Sequence, residues 1–148
     1  MFYFFQARKS RIVDLVLLIG RLLFVAIFLG SGVNHLRRRE NLAAYARSAG
    51  TPAAELLVPL TGAMLLAGGL LVGIGVWADL GALLLLAFLV PTAYFMHGYW
   101  RHDDPMERMN QQAHFMKNMS MAGACLAVFY LFEQFGHQIG LTLGGPVF

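Results

Sequence analysis

Apolar residues arrive along this chain in four long blocks, from Ile12 to Val33, Leu56 to Val76, Ala78 to Met96 and Phe115 to Phe135. At 1.5 Å of rise per residue, about twenty residues in helical conformation cross a hydrocarbon layer of about 30 Å. The blocks are continuously apolar and rich in Ala, Leu and Gly, so they lack the alternation that a membrane β-barrel requires. Only Gly75 to Asp79 separate the second block from the third, which demands a tight antiparallel hairpin. The segment Asn34 to Glu55 contains NLAAYARSAG, with Leu42, Tyr45, Ala46 and Ala49 on one face and Gly50 and Pro52 as stop signals. A short interfacial helix is expected there. The architecture expected is therefore all-α: a polytopic membrane four-helix bundle forming a single domain over residues 1–148, with a short interfacial helix between the first and second transmembrane helices.

Composition agrees with a lipid environment. The chain is 58% hydrophobic and only 13% charged, with a mean hydropathy of +0.61, whereas soluble domains carry about a quarter charged residues. The net charge of +3 does not point to nucleic acid, because the basic residues flank apolar blocks, where they meet lipid headgroups. Arg37, Arg38, Arg39, Arg47, Arg101, Arg108 and Lys117 outnumber Arg8, Lys9 and Arg11 on the opposite side, so a multi-pass protein with both termini outside is expected. Phe2, Tyr3, Phe4 and Phe5 precede the first basic residues, the reverse of a cleaved signal peptide, and read as interfacial anchors. Cys125 is the only cysteine, so a dithiol centre cannot be built from this chain alone.

Several positions inside the blocks carry chemistry. Asp14, Arg21, Phe28 and His35 are spaced by sevens and should form one inward seam. Arg21 lies about 14 Å into the first block, too deep to snorkel, so it needs either an anionic or quinone-type ligand or an internal acceptor such as a carbonyl, Thr61 or Thr92. Gly69 and Gly73 suit close helix packing, and Pro91 should kink the third block. His35, His97, His102 and His114 gather at one polar end with Trp100, Gln111, Gln112, Lys117 and Asn118. The candidate ligand-binding residues are Arg21, His35, His97, Trp100, Gln112, Lys117 and Asn118. No metal site is expected: the histidines lack ligand spacing, and the methionines near this end, irregularly spaced, read as packing, so neither haem nor copper is called for. HDDPMER reads as a solvated loop, and no catalytic constellation is visible.

Three segments resemble the DoxX/DoxD-like family of small four-helix membrane proteins: GRLLFVAIFLGSGVNHL, NLAAYARSAGTPAAELLVPLTG and HGYWRHDDPMERMNQQAHFMKNMSMAGACL. The last carries His-x-x-Trp and Gln-x-x-Phe-x-Lys-Asn. Members often hold a glutamate in the second helix, where this chain has Met64 or Leu65, so an internal acid for Arg21 is missing. The resemblance implies a multi-pass protein of a bacterial or archaeal inner membrane and association with membrane redox systems, as small subunits of a thiosulfate:quinone oxidoreductase or as partners of oxidative-stress enzymes. A non-catalytic subunit anchoring or assembling a larger quinone-linked or respiratory-type complex is the leading expectation, with membrane lipid and either that complex or further copies of the chain as partners and no covalently bound cofactor. The alternatives are a stand-alone quinone-binding redox protein and a small anion transporter or channel.

Overall fold

The computed structural model describes residues 2–148, and the side chains from Arg11 onward. Five α-helices run in the order α1 (Phe2–Arg37), α2 (Arg39–Ser48), α3 (Ala54–Ile74), α4 (Ala78–Met96) and α5 (Pro105–Phe135), with single 3-10 turns at Tyr99–Arg101 and Gly136–Gln138. Four of them are long and apolar enough to cross a membrane. The protein is a multi-pass, all-α membrane protein, and α2 is the short helix expected between the first two spans. The aromatic anchors proposed at Phe2 to Phe5 lie outside the described side chains.

The four long helices form a bundle in which α1 packs on α3, α3 on α4 and α4 on α5, and all four bury side chains in one core, among them Val25 and Phe28 of α1, Leu65 of α3, Leu85 of α4 and Cys125 and Phe132 of α5. Because lipid is as apolar as leucine, close contact between helices here comes from shape. A Cβ on Gly62 would sit 2.8 Å from the Cβ of His35, and one on Gly32 would sit 2.9 Å from the carbonyl oxygen of Gly62, so α1 and α3 approach backbone to backbone beside His35. Outward-facing leucines such as Leu23, 73% exposed, and Leu56, 67% exposed, belong to the lipid-facing surface.

Some boundaries differ from those expected. The second span ends at Ile74 because Gly75, at φ 71°, turns the chain left-handed, followed by Trp77 at φ 47° in the tight hairpin to α4. The helix of the fourth span starts ten residues early, at Pro105: the second half of HDDPMER opens α5, and His102, Asp103 and Asp104 lead into it. Asp104 accepts the backbone N–H of Glu107 at 2.8 Å, and Pro105 occupies the first turn, where its missing N–H costs nothing. Pro91 lies within a continuous α4. The buried face of α2 is Ala43 and Ala46, whereas Tyr45, expected on it, is 49% exposed.

Arg101 secures the end of the bundle that carries α2. Its guanidinium donates to the carbonyl oxygens of Tyr94 at 2.9 Å and of Phe95 and Ala49 at 3.3 Å. It thereby caps the unsatisfied C-terminus of α4, where a cation also complements the helix dipole, and ties it to the segment after α2. Arg47 and Glu55, 2.6 Å apart, add an exposed ion pair between α2 and α3.

Candidate functional site

The seam of sevens on α1 faces inward, with Arg21 3% and Phe28 2% exposed and Asp14 and His35 half-buried. A second seam of the same spacing runs down α5 through Gln111, Asn118, Cys125 and Phe132, all buried. Where the two seams face each other at the α2 end, the helices part around a cavity of about 470 Å³. Its wall is mostly apolar, with Phe28, Tyr45, Val58, Met64, Phe88, Phe95 and Met121 among the lining residues, and its polar groups are few: Ser31, His35, Thr51, Thr61, Thr92, His97, Lys117 and Asn118. That size and that balance are those of a small-molecule site.

Each polar group is held differently. His35 places Nδ1 3.1 Å from Thr61 Oγ1 and 3.3 Å from the carbonyl oxygen of Val58. Thr61 in turn donates back to its own helix, at 2.7 Å to Leu57 and 3.0 Å to Val58. His97, at the C-cap of α4, lies 2.8 Å through Nδ1 from Gln111 Oε1, and Gln111 Nε2 donates to Glu107 at 2.7 Å. His97 also stacks on His114, with ring centroids 5.1 Å apart. Asn118 is only 5% exposed and lines the cavity, yet its amide has no hydrogen-bond partner among the described residues. Ala87 and Pro91 both line the wall, and since Pro91 has no N–H, the Ala87 carbonyl lacks its usual helical donor there.

Of the residues singled out from the sequence, the cavity brings together His35, His97, Lys117 and Asn118. Trp100 lies outside it, in an aromatic group with Tyr94, Tyr99 and Phe115 and under the guanidinium of Arg101. Gln112 is exposed, and its neighbour Gln111 holds the buried, bonded position. The seam of sevens on α5 is the signal that distinguishes the two glutamines. Thr61 enters as the partner of His35 rather than of Arg21.

Arg21 is not part of this group. Fourteen residues before His35 on one helix, it lies about 21 Å away, near the opposite end. There Nη2 donates to the carbonyl oxygen of Leu141 at 2.6 Å, and the guanidinium sits over the ring of Phe132, 5.6 Å from its centroid. Nε and Nη1 are buried without partners among the described residues. The chain after α5 folds across this end. Leu143 N–H donates to the Ile74 carbonyl, Trp77 N–H to the Gly145 carbonyl, and the N–H groups of Val147 and Phe148 to Asp79 Oδ2 at 2.8 and 3.1 Å. Asp79, fully buried at the start of α4, escaped notice in the sequence because an acid at a helix N-terminus ordinarily faces water.

Among the described residues no three His, Cys, Asp or Glu side chains converge to form a metal-binding group. No curated protein and no solved structure matches the chain. A family model for DoxX matches residues 16–98, which covers three of the four long helices around the cavity and leaves α5 to be read from its own residues. The match spans more than half of the chain, and the protein belongs to the DoxX family.

Proposed function

We propose that the protein is a membrane subunit of a larger redox complex and that it holds a quinone-type molecule, with an apolar body and a polar ring, between its helices. The observation that carries this reading is the cavity at the α2 end. Its apolar wall suits a hydrophobic ring system, its volume of about 470 Å³ suits a ligand of that class, and Asn118 lines it with a side-chain amide that makes no hydrogen bond among the described residues. A ligand oxygen seated against that amide gains a hydrogen bond that an apolar wall alone could not give.

Three further features support the reading. The resemblance to DoxX/DoxD-like proteins, some of which are subunits of membrane redox enzymes, favours it. With one cysteine the chain cannot form a dithiol by itself, which agrees with an electron carrier supplied by a partner. The basic residues crowd the cavity end, which on the positive-inside rule faces the cytoplasm, where a soluble redox protein can dock. The anion-carrier reading finds less support, because Arg21 is packed against Phe132 and Leu141 away from the cavity.

The test has two arms. Mild-detergent extraction from native membranes should recover the protein with larger partners in fixed stoichiometry. The purified protein in lipid nanodiscs should bind one duroquinone per chain, and Asn118→Leu should weaken that binding about tenfold. Absence of saturable binding in the intact protein would defeat the quinone reading.

A further inference from the structure

The hydrogen bonds behind the two cavity histidines form a chain of fixed direction. The Glu107 carboxylate only accepts, so Gln111 must turn its amide N–H₂ to it, as the 2.7 Å contact from Nε2 requires. Gln111 therefore presents its carbonyl oxygen to His97, and at 2.8 Å the His97 Nδ1 must be the donor. The same logic applies on the other wall. The hydroxyl proton of Thr61 is committed to backbone carbonyls of its own helix, so its oxygen accepts, and the Val58 carbonyl can do nothing else; His35 Nδ1 donates to both. In a neutral imidazole a protonated Nδ1 leaves Nε2 as a bare acceptor. Neither Nε2 has a partner among the described residues, and both rings line the cavity.

Resting on the quinone-type reading above, we infer that the cavity selects the reduced diphenol form of its ligand over the oxidised dicarbonyl form, because His35 and His97 are locked as tautomers that present acceptors. A phenolic hydroxyl donates to Nε2. A quinone carbonyl would set one lone pair against another, leaving both the ligand oxygen and the imidazole nitrogen unsatisfied in an apolar site. Discrimination by a missing donor in a buried polar site is large compared with discrimination by size, because the unpaired groups have no water to turn to. The groups facing His97 are Gln111, His114 and Lys117, and those facing His35 are Thr61, the Val58 carbonyl and Phe88. None of the latter three supplies a donor to His35, since the Thr61 proton is already engaged.

The experiment compares duroquinol, duroquinone and farnesol as ligands for the full chain in nanodiscs under argon, read by calorimetric titration. The expected result is that duroquinol binds at least about tenfold tighter than duroquinone. His97→Asn and His35→Asn each keep a donor close to the Nδ1 position and remove the acceptor at Nε2, so the backing bonds to Gln111 and Thr61 survive. These variants should bring the affinities for duroquinol and duroquinone closer together than in the parent. Gln111→Leu, which frees the His97 tautomer, should also reduce it. Equal affinity for the two redox forms would overturn the inference and leave the quinone-type reading intact. Binding of neither form overturns both. Farnesol binding as tightly as duroquinol overturns the assignment to a diphenol and points to a lipid alcohol as the source of the hydroxyl.

Discussion

The guanidinium of Arg21 donates to the carbonyl oxygen of Leu141 at 2.6 Å, tying the middle of α1 to a residue 120 positions later in the chain. Of the two partners the sequence left open for this charge, a ligand or an internal acceptor such as a carbonyl, the structure supplies the second, and Arg21 is a clasp between a transmembrane helix and the segment that covers one end of the bundle. The rest of the guanidinium lies over Phe132 with two nitrogens unpartnered among the described residues, which leave much of the cost of burying it uncompensated.

Arg21→Met should therefore change global stability by no more than about 2 kcal/mol, since the lost charge-assisted bond is offset by relief of a buried, half-satisfied cation. Ligand binding at the opposite end should be unaltered. Limited proteolysis should cut the segment 139–145 faster than in the parent protein, and quinol titration should give the same affinity.

Asp79 holds the same segment from α4, accepting two backbone N–H groups through Oδ2 while fully buried. Asp79→Leu strands both donors and should cost about 2–4 kcal/mol. Asp79→Asn keeps an acceptor oxygen in place and should cost less. Thermal unfolding in detergent, followed by circular dichroism, orders the three proteins.

Gly62 permits α1 and α3 to touch beside His35, where an added Cβ would meet that residue at 2.8 Å. Gly62→Ala should push the helices apart and cost about 1–3 kcal/mol. Because His35 is the residue displaced, ligand affinity should fall as well, unlike in the Arg21 variant. Parallel unfolding and titration measurements separate the two effects.

Arg101 reaches three carbonyl oxygens with one planar group. Arg101→Ala should destabilise the α2 end by about 2 kcal/mol, and Arg101→Lys should recover less than half, since an ammonium cannot fork across carbonyls contributed by two segments. Hydrogen exchange at residues 45–51 and 93–98 should rise in both variants, and more in the alanine protein.

Cys125 is 1% exposed in the middle of α5. A maleimide should label it at the rate of global unfolding rather than of local fluctuation. Labelling kinetics in any of the variants above then report loss of the bundle core and not fraying of its ends.

The spans and the inward seam of α1 were legible because both depend on local periodicity, and lipid enforces that periodicity along each helix. The same spacing of sevens from Asn118 also points to Gln111 and away from Gln112, and that relation went unused while the polar end was read as a group of residue types. The start of α5 was equally open to view in Asp104, Pro105 and Glu107, which together form a helix cap. The partner of Arg21 was not legible. Its acceptor is a backbone carbonyl in a glycine-rich segment of no marked pattern, and any residue at position 141 presents one. The hydrogen-bond directions at His35 and His97 likewise belong to pairs from different helices, which no single stretch of chain contains.

Ile27 on α1 and Leu60 on α3 line the cavity and also face outward, 44% and 56% exposed, on the lipid-facing surface. What the cavity admits can therefore come sideways, out of the bilayer. Apolar ring compounds concentrate in lipid far above their aqueous level, so a site served from the hydrocarbon phase fills even when its intrinsic affinity is modest. Competition there is among molecules that share the leaflet. An aqueous inhibitor, however well shaped, would first have to become a component of the membrane.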